Sequence, residues 1–423
     1  MTNSTFFSSD KILHEQIYMK LRLINKPAGE YMITVYDKKN NCYGCSSCVQ
    51  ICPSGAITFK EDVEGFSYPE INQSKCNDCG LCRKACPIFK DVPSLDEVFP
   101  HIYAIWNKND EVRGSSTSGG VFTALAKKII DQSGVVFGAA FDDKNKVNHT
   151  GIASGEQLWK LQGSKYTQSN IGDSYKEARA FLREGKKVLF SGTPCQISGL
   201  YAYLGKSYEN LYTCDCVCHG VPSPGVFELY KAHLEKLYKS EIKSFNFRNK
   251  SGSWKNYNIK VVFNNGSQHI TDFREDPYMR GFIKNIYLRP SCHSCKYAAV
   301  KRHSDITLGD FWGIEKFNPA LDDDKGTSLI LANTPKGAEF LEACKADLEI
   351  HRADLSSAAR ENPSLVGPSN PHKNRDRFFS EMVGSDFGTL QNKFLRPTSK
   401  GRLAFNKFLR IPKKLLRLLK EKR

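Results

Sequence analysis

One cysteine spacing occurs twice between residues 42 and 87: Cys42-x2-Cys45-x2-Cys48-x3-Cys52-Pro53, then Cys76-x2-Cys79-x2-Cys82-x3-Cys86-Pro87. Thiols this close can share a metal centre only if the chain turns sharply between them. Two such runs, each ending in Pro, form the pattern of a two-cluster iron–sulfur segment, in which the fourth cysteine of each run ligates the other cluster. One 4Fe-4S cluster is therefore expected on Cys42, Cys45, Cys48 and Cys86, the other on Cys76, Cys79, Cys82 and Cys52. Gly44 and Gly80 relieve crowding where backbone amides point at sulfur, and those hydrogen bonds help set the reduction potential. C-x2-C pairs also make zinc knuckles, but the doubled four-cysteine run favours iron–sulfur. The intervening AITFKEDVEGFSYPEIN reads as strand, turn and strand.

Fifteen cysteines would suggest disulfides in a secreted chain. The start, MTNSTFFSSDKILHEQ, has no continuous apolar stretch after a basic one, and no apolar run approaches the roughly 18 residues of a membrane span. A cytoplasmic setting follows, in which cysteines ligate metal. With 423 residues, 40% hydrophobic and 25% charged, the chain can bury a sizeable core. The net charge of +16 is concentrated in residues 389–423, where twelve Lys/Arg face one Glu, which leaves about +5 elsewhere. Nothing in the body reads as a nucleic-acid motif, so no nucleic-acid partner is expected.

Four regions are expected: a polar extension (1–35), a two-cluster ferredoxin-type domain (36–92), a larger body (98–385) and a basic amphipathic tail (389–423). DVPSLDEVFP (91–100) reads as a linker. In the body, HIYAIW, VFTALAKKII, GVVFGAAF, SYKEARAFLREG and KKVLFSG alternate strand-like and helix-like runs. NIKVVFNNGSQHITDF places Asn265-Gly266 between two alternating runs, a hairpin signal. SLILANT followed by PKGAEFLEACKADL reads as a last strand and helix. The expected fold class is a small ferredoxin-like dicluster domain followed by a mixed-sheet α/β body. In the tail, Leu415, Leu416, Leu418 and Leu419 recur at helical spacing among Lys and Arg, which suits peripheral contact with an anionic membrane at the inner face, or docking on a partner.

Short motifs punctuate the body: Arg113-Gly-Ser-Ser-Thr-Ser-Gly-Gly120, Gln162-Gly-Ser-Lys-Tyr166, Gly192-Thr-Pro-Cys-Gln196, Cys218-His-Gly-Val-Pro-Ser223, Cys292-x2-Cys295 and Asp305-Ile-Thr-Leu-Gly-Asp-Phe-Trp-Gly313. In this order behind a two-cluster segment, they resemble the coenzyme F420 hydrogenase/dehydrogenase beta-subunit family over about residues 40–350. The resemblance implies a flavoprotein that passes electrons between iron–sulfur clusters and a hydride-carrying partner through FAD.

RGSSTSGG immediately precedes an apolar helix, so free N–H groups, hydroxyls and a positive dipole end converge there. An FAD pyrophosphate would suit Ser115, Ser118, Gly119 and Gly120, with Arg113 as charge partner. Without the resemblance, the same residues read as an ordinary helix cap. By resemblance Lys165, Tyr166 and Thr193 lie at the flavin, Lys165 stabilising negative charge on the reduced ring. Asp310, Phe311 and Trp312 read equally as core. Cys195 reads either as a low-pKa thiol at a helix start or as a ligand. The resemblance implies ligation of a third 4Fe-4S cluster by Cys195, Cys218, Cys292 and Cys295, with Cys214 and Cys216 as alternates. Cys344 reads as core and His219 as a structural histidine rather than a proton relay.

The expected function is an iron–sulfur flavoprotein oxidoreductase with a ferredoxin-like donor or acceptor, or a partner redox subunit, and a small-molecule substrate whose identity and catalytic residues the sequence does not specify. The rival is an electron-transfer protein that relays between protein partners without its own substrate. A third reading, loss of flavin, is opposed by the joint presence of RGSSTSGG and GSKY.

Overall fold

The computed structural model describes residues 35–36, 38–89 and 100–397. Nearly all of the polar extension and of the expected linker, and the leucine-bearing end of the tail, lie outside these residues.

In the cysteine-rich module a short helix α1 (Ser47–Ile51) precedes an antiparallel hairpin of β1 (Ile57–Glu61) and β2 (Ser67–Ile71), and α2 (Leu81–Lys84) follows. The strand–turn–strand expectation is met. Asp62 closes the turn by accepting from the amides of Glu64 and Phe66, and Gly65 takes a φ of +77° there.

The body is built on a mixed eight-stranded sheet. Its strands are β3 (His101–Asn107), β4 (Val135–Phe141), β5 (Val147–Ile152), β6 (Val188–Ser191), β7 (Leu211–Cys216), β11 (Ile306–Asp310), β12 (Ser328–Ala332) and β13 (Leu348–Arg352), in the order β13-β3-β12-β11-β7-β6-β4-β5. The central run β11-β7-β6-β4 is parallel, and the flanking pairs are antiparallel. Helices cover both faces, so alternate side chains on one strand enter different cores. Leu189 packs with α3 (Val121–Ile130), whereas Val188 and Phe190 pack with α4 (Ser174–Arg183) and α5 (Pro194–Leu204). That two-sided burial explains the continuous apolar runs in β4 and β6.

A second sheet of β8 (Ile242–Asn249), β9 (Asn258–Phe263) and β10 (Gln268–Asp272) is antiparallel throughout. Asn265 and Gly266 lie in its β9–β10 connection as expected, but the loop has four residues, with only Gly266 at positive φ. An aromatic core joins this sheet to α6 (Pro224–Tyr238), and Phe66 and Tyr68 from the cysteine-rich hairpin enter the same core. The strand and helix expected at 328–348 form as β12 and α7 (Pro335–Glu342), with Cys344 buried in the core beside them. Helices α8 (Arg375–Met382) and α9 (Phe387–Phe394) pack on the aromatic core, so the first residues of the basic tail belong to the body.

Candidate functional site

Ligating thiols separated by two residues need the chain to reverse between them, and left-handed residues provide the turn. Gly44, Ser46, Asp78 and Gly80 all have φ between +53° and +69°. The result places Cys42, Cys45, Cys48 and Cys86 around one pocket. Cys82 senses Cys79 and Cys52 electrostatically, so the fourth cysteine of each run stands with the other run's thiols. Burial pushes Cys45 up to about 12 and Cys86 up to about 11. As free thiols they would be inert near neutrality; coordination is the event that deprotonates such groups.

A second set of cysteines meets in the body. Cys195 stands at the start of α5, beyond the end of β6; Cys218 follows β7, and these two strands are parallel neighbours. Cys292 and Cys295 come from the turn at Pro290–Ser294, and the four line one pocket with His219. Burial raises the Cys195 thiol well above its ordinary value and pushes Cys292 up to about 12, which removes the basis for a low-pKa redox thiol at Cys195. A hydrogen bond that the Cys218 thiol donates to Cys216, then burial, raises Cys218, so Cys216 lies beside the set while Cys214 is in the sheet core. His219 is engaged by Asn285 at 2.6 Å and by Ser369. Among the described residues no group of three or more His, Cys, Asp or Glu converges to hold a single metal ion. The eight cysteines of the first module do not form such a group either.

The two pockets share a wall. Tyr43 lines both, and its ring meets Tyr297 edge-on at 5.1 Å. Beside it α5 presses on Cys45 through Gly199, where an added Cβ would stand 2.8 Å from the Cys45 Cβ.

The remaining motifs gather around Arg248, a residue that sequence reasoning missed. Its guanidinium pairs with Asp310 at 2.9 Å, bonds the Tyr166 hydroxyl at 3.2 Å and lies 4.0 Å over the Tyr257 ring. Thr117 accepts from the Ser164 amide at 2.9 Å, which brings RGSSTSGG against GSKY. Lys250 donates to the carbonyls of Arg113, Ser118 and Lys325. Arg113 is buried in a two-point ion pair with Asp323, both contacts 2.6 Å, so its charge is already balanced within the protein. Ser115 bonds the Val112 carbonyl, Ser118 the Thr327 carbonyl, and the Gly119 amide donates to Ser328. Gly120 is the left-handed residue that starts α3. Lys165 donates to the carbonyls of Lys160 and Gln162, and burial pushes it down to about 7. Thr193 caps α5 together with Gln196 and lies 3.1 Å from the Cys195 sulfur. Phe311 is core, while Trp312 stacks on Trp254 at 4.9 Å.

A doubled thiol module seated on a sheet whose strand ends carry a further cysteine set defines an iron–sulfur electron-transfer protein. Residues 41–89 match the model of the 4Fe-4S dicluster domain, and residues 185–357 match that of the C-terminal part of the coenzyme F420 hydrogenase/dehydrogenase beta subunit. The chain thus carries a dicluster segment followed by a region similar to the C-terminal part of this beta subunit. An uncharacterized protein of Methanocaldococcus jannaschii is 28% identical over 41% of this chain and 55% of its own length. The F component of the F(420)H(2) dehydrogenase of Methanosarcina mazei is 18% identical over 73% of this chain and 84% of its own. The coenzyme F420-dependent sulfite reductase of M. jannaschii is 28% identical over 38% of this chain, but the match spans only 24% of that protein. A chain of the F420-reducing [NiFe] hydrogenase complex from Methanosarcina barkeri aligns at 18% identity and a TM-score of 0.43, over 72% of this chain and 99% of that one. No helix among the described residues is long and apolar enough to cross a membrane.

Proposed function

We propose that the protein is a flavin-dependent iron–sulfur oxidoreductase in which electrons move between a substrate-facing FAD, the four cysteines of the body and the dicluster module. The observation that carries this reading is the shared wall: Tyr43 lines both cysteine pockets, so the two sets are next to each other. Such adjacency suits single-electron passage and is not needed for packing alone. When bound, FAD would supply the exchange between one-electron carriers and a two-electron substrate.

The body's cysteine set has the surroundings an anionic cluster needs. Among the described residues, all three guanidinium nitrogens of Arg302 are buried without a hydrogen-bond partner, and the one ion pair it makes there, with Asp215, is long at 3.9 Å. Arg302 also acts electrostatically on Cys218 and Cys295. A buried cation so poorly neutralised is costly unless a negative group joins it. At the flavin motifs, His149 Nδ1 and Arg248 Nε are buried without hydrogen-bond partners among the described residues, next to Lys165 and Tyr166. Ser115, Ser118, Gly119, Gly120, Lys165, Tyr166 and Thr193 would hold the cofactor. Arg113 is the weakest member, because Asp323 already neutralises it. That engagement favours a second reading, in which the protein relays electrons between partners and has no substrate of its own.

Either reading needs a redox partner, and the dicluster domain offers a port: Cys79 is exposed, as are Leu81 and Phe89 near it. The F420 coenzymes in the relatives' names make the deazaflavin the first substrate to assay. Anaerobic purification is the test. Bound FAD with about twelve irons supports the three-cluster flavoenzyme, about eight irons removes the third cluster, and absence of flavin leaves the relay.

A further inference from the structure

Arg289 stands in the wall between the two cysteine pockets and is 1% exposed. Its Nε donates to the Cys42 carbonyl at 2.8 Å, Nη1 to Gln168 Oε1 at 3.0 Å, and Nη2 to the Ser67 carbonyl at 3.0 Å. Nη2 also points at the Cys42 sulfur, 3.7 Å away, and the guanidinium lies 4.2 Å over the Tyr68 ring. Every one of these protein partners is neutral unless Cys42 is a thiolate. An arginine stays charged at any accessible pH, and a fully buried charge without a counter-ion is rarely tolerated.

The other half of the module is arranged with the opposite sign. Cys76 Sγ lies 3.6 Å from the Asp78 carboxylate, Cys79 is exposed, and Cys52 Sγ has the Ser54 hydroxyl at 3.6 Å. One thiol set thus has a buried cation at its edge, the other a carboxylate and water.

From this asymmetry we infer that Arg289 is a positioning residue for electrons: its charge raises the reduction potential of the cluster held by Cys42, Cys45, Cys48 and Cys86 above that of the cluster held by Cys52, Cys76, Cys79 and Cys82. Adding an electron increases the negative charge beside the guanidinium, so the reduced state gains most from it. Burial alone would work the other way, disfavouring added charge, and Arg289 offsets that cost. The consequence is directional. An electron arriving at the exposed half of the module settles on the half that touches the body.

The inference rests on the ligand assignment within the dicluster module and not on FAD or a third cluster. A purified protein with eight irons and no flavin would end the flavoenzyme reading and leave this one intact.

The test is an anaerobic potentiometric titration followed by electron paramagnetic resonance, first on the unmodified protein. Two reduction steps are expected, separated by at least tenfold in equilibrium constant, or about 59 mV for one electron. A paramagnetic relaxing agent in the solvent should broaden chiefly the signal of the lower-potential cluster, the one beside exposed Cys79. Coincident steps, or the reverse order, would overturn the inference. Arg289→Gln, which keeps polar contacts but not charge, should lower the higher step at least tenfold and leave the other in place, while Arg289→Lys should lower it less. An unchanged higher step in a fully loaded Arg289→Gln protein also overturns it. If that variant loses iron, the order of steps in the unmodified protein still decides.

Discussion

Glu64 sits at the tip of the dicluster hairpin, and its carboxylate meets Arg375 of the body in a two-point ion pair, 2.6 and 3.1 Å long. Arg375 is buried, and it also donates to the Leu288 carbonyl. Glu64→Gln keeps the size of the side chain and removes its charge. Breaking a buried pair from one side costs ~3–5 kcal/mol, because the remaining charge stays desolvated. The lower end applies here: the Glu64 side chain keeps 16% exposure, and Asp376 still lies 3.6 Å from Arg375. A loss of about 3 kcal/mol is therefore expected, a large part of the ~5–15 kcal/mol that holds a typical fold. Urea denaturation of the anaerobically purified protein reads the loss, and hydrogen exchange should show β1 and β2 opening first. Arg375→Met and the double variant complete a cycle whose coupling energy should exceed ~1 kcal/mol. A Glu64→Gln midpoint equal to that of the unmodified protein, together with zero coupling, would refute the view that this pair anchors the module.

Gly225→Ala would set a Cβ 2.8 Å from the Gly65 Cα, backbone against backbone, and should lower the urea midpoint by an overpacking cost of ~1–3 kcal/mol; an unchanged midpoint contradicts the close approach. Gly199→Ala gains helix propensity of ~1 kcal/mol but drives a methyl into Cys45, so iron content should fall even if the melting temperature does not; full iron loading would count against the shared wall. Burial holds Lys165 at about 7 instead of its ordinary 10.5, so between those values the unfolded chain binds a proton that the folded chain lacks. Stability should thus rise with pH across that window and be lost as pH falls toward 7, and Lys165→Met should flatten the slope. Equal slopes in the two proteins would remove Lys165 as its source.

What the sequence made legible was local. The cysteine runs announce their own turns, because Gly44 and Gly80 sit where positive φ is needed. Strands buried on both faces betray themselves as apolar runs, and the helix at Val121–Ile130 begins directly after its glycines. Contacts made across the chain left no such trace. Arg289 is 247 residues from Cys42, and an isolated arginine before a proline carries no visible sign of a buried thiol. Arg113 was conspicuous in its motif, yet its role depends on Asp323, 210 residues away, and no local pattern could foretell that pairing. Arg248 was invisible for the same reason: it lies at the end of an ordinary amphipathic strand, and only the fold brings Tyr166, Asp310 and Thr117 to it.

Those long-range contacts share one physical result. The hairpin tip is held by the Glu64–Arg375 pair and by Ser223, which donates to the Glu64 carbonyl. Its aromatic side chains enter the core of the body. Cys45 is pinned by α5, and Cys42 by Arg289. A module attached at one point could swing, and its distance to the second cysteine pocket would vary. Attachment at the tip, the core and two of its own cysteines fixes that distance while leaving Cys79 facing outward. Rigidity on the inner side and exposure on the outer side are opposite demands, and they fall on opposite halves of one small domain. That division explains why the inner four cysteines are buried or lie close to the body, while Cys52, Cys76 and Cys79 retain solvent contact.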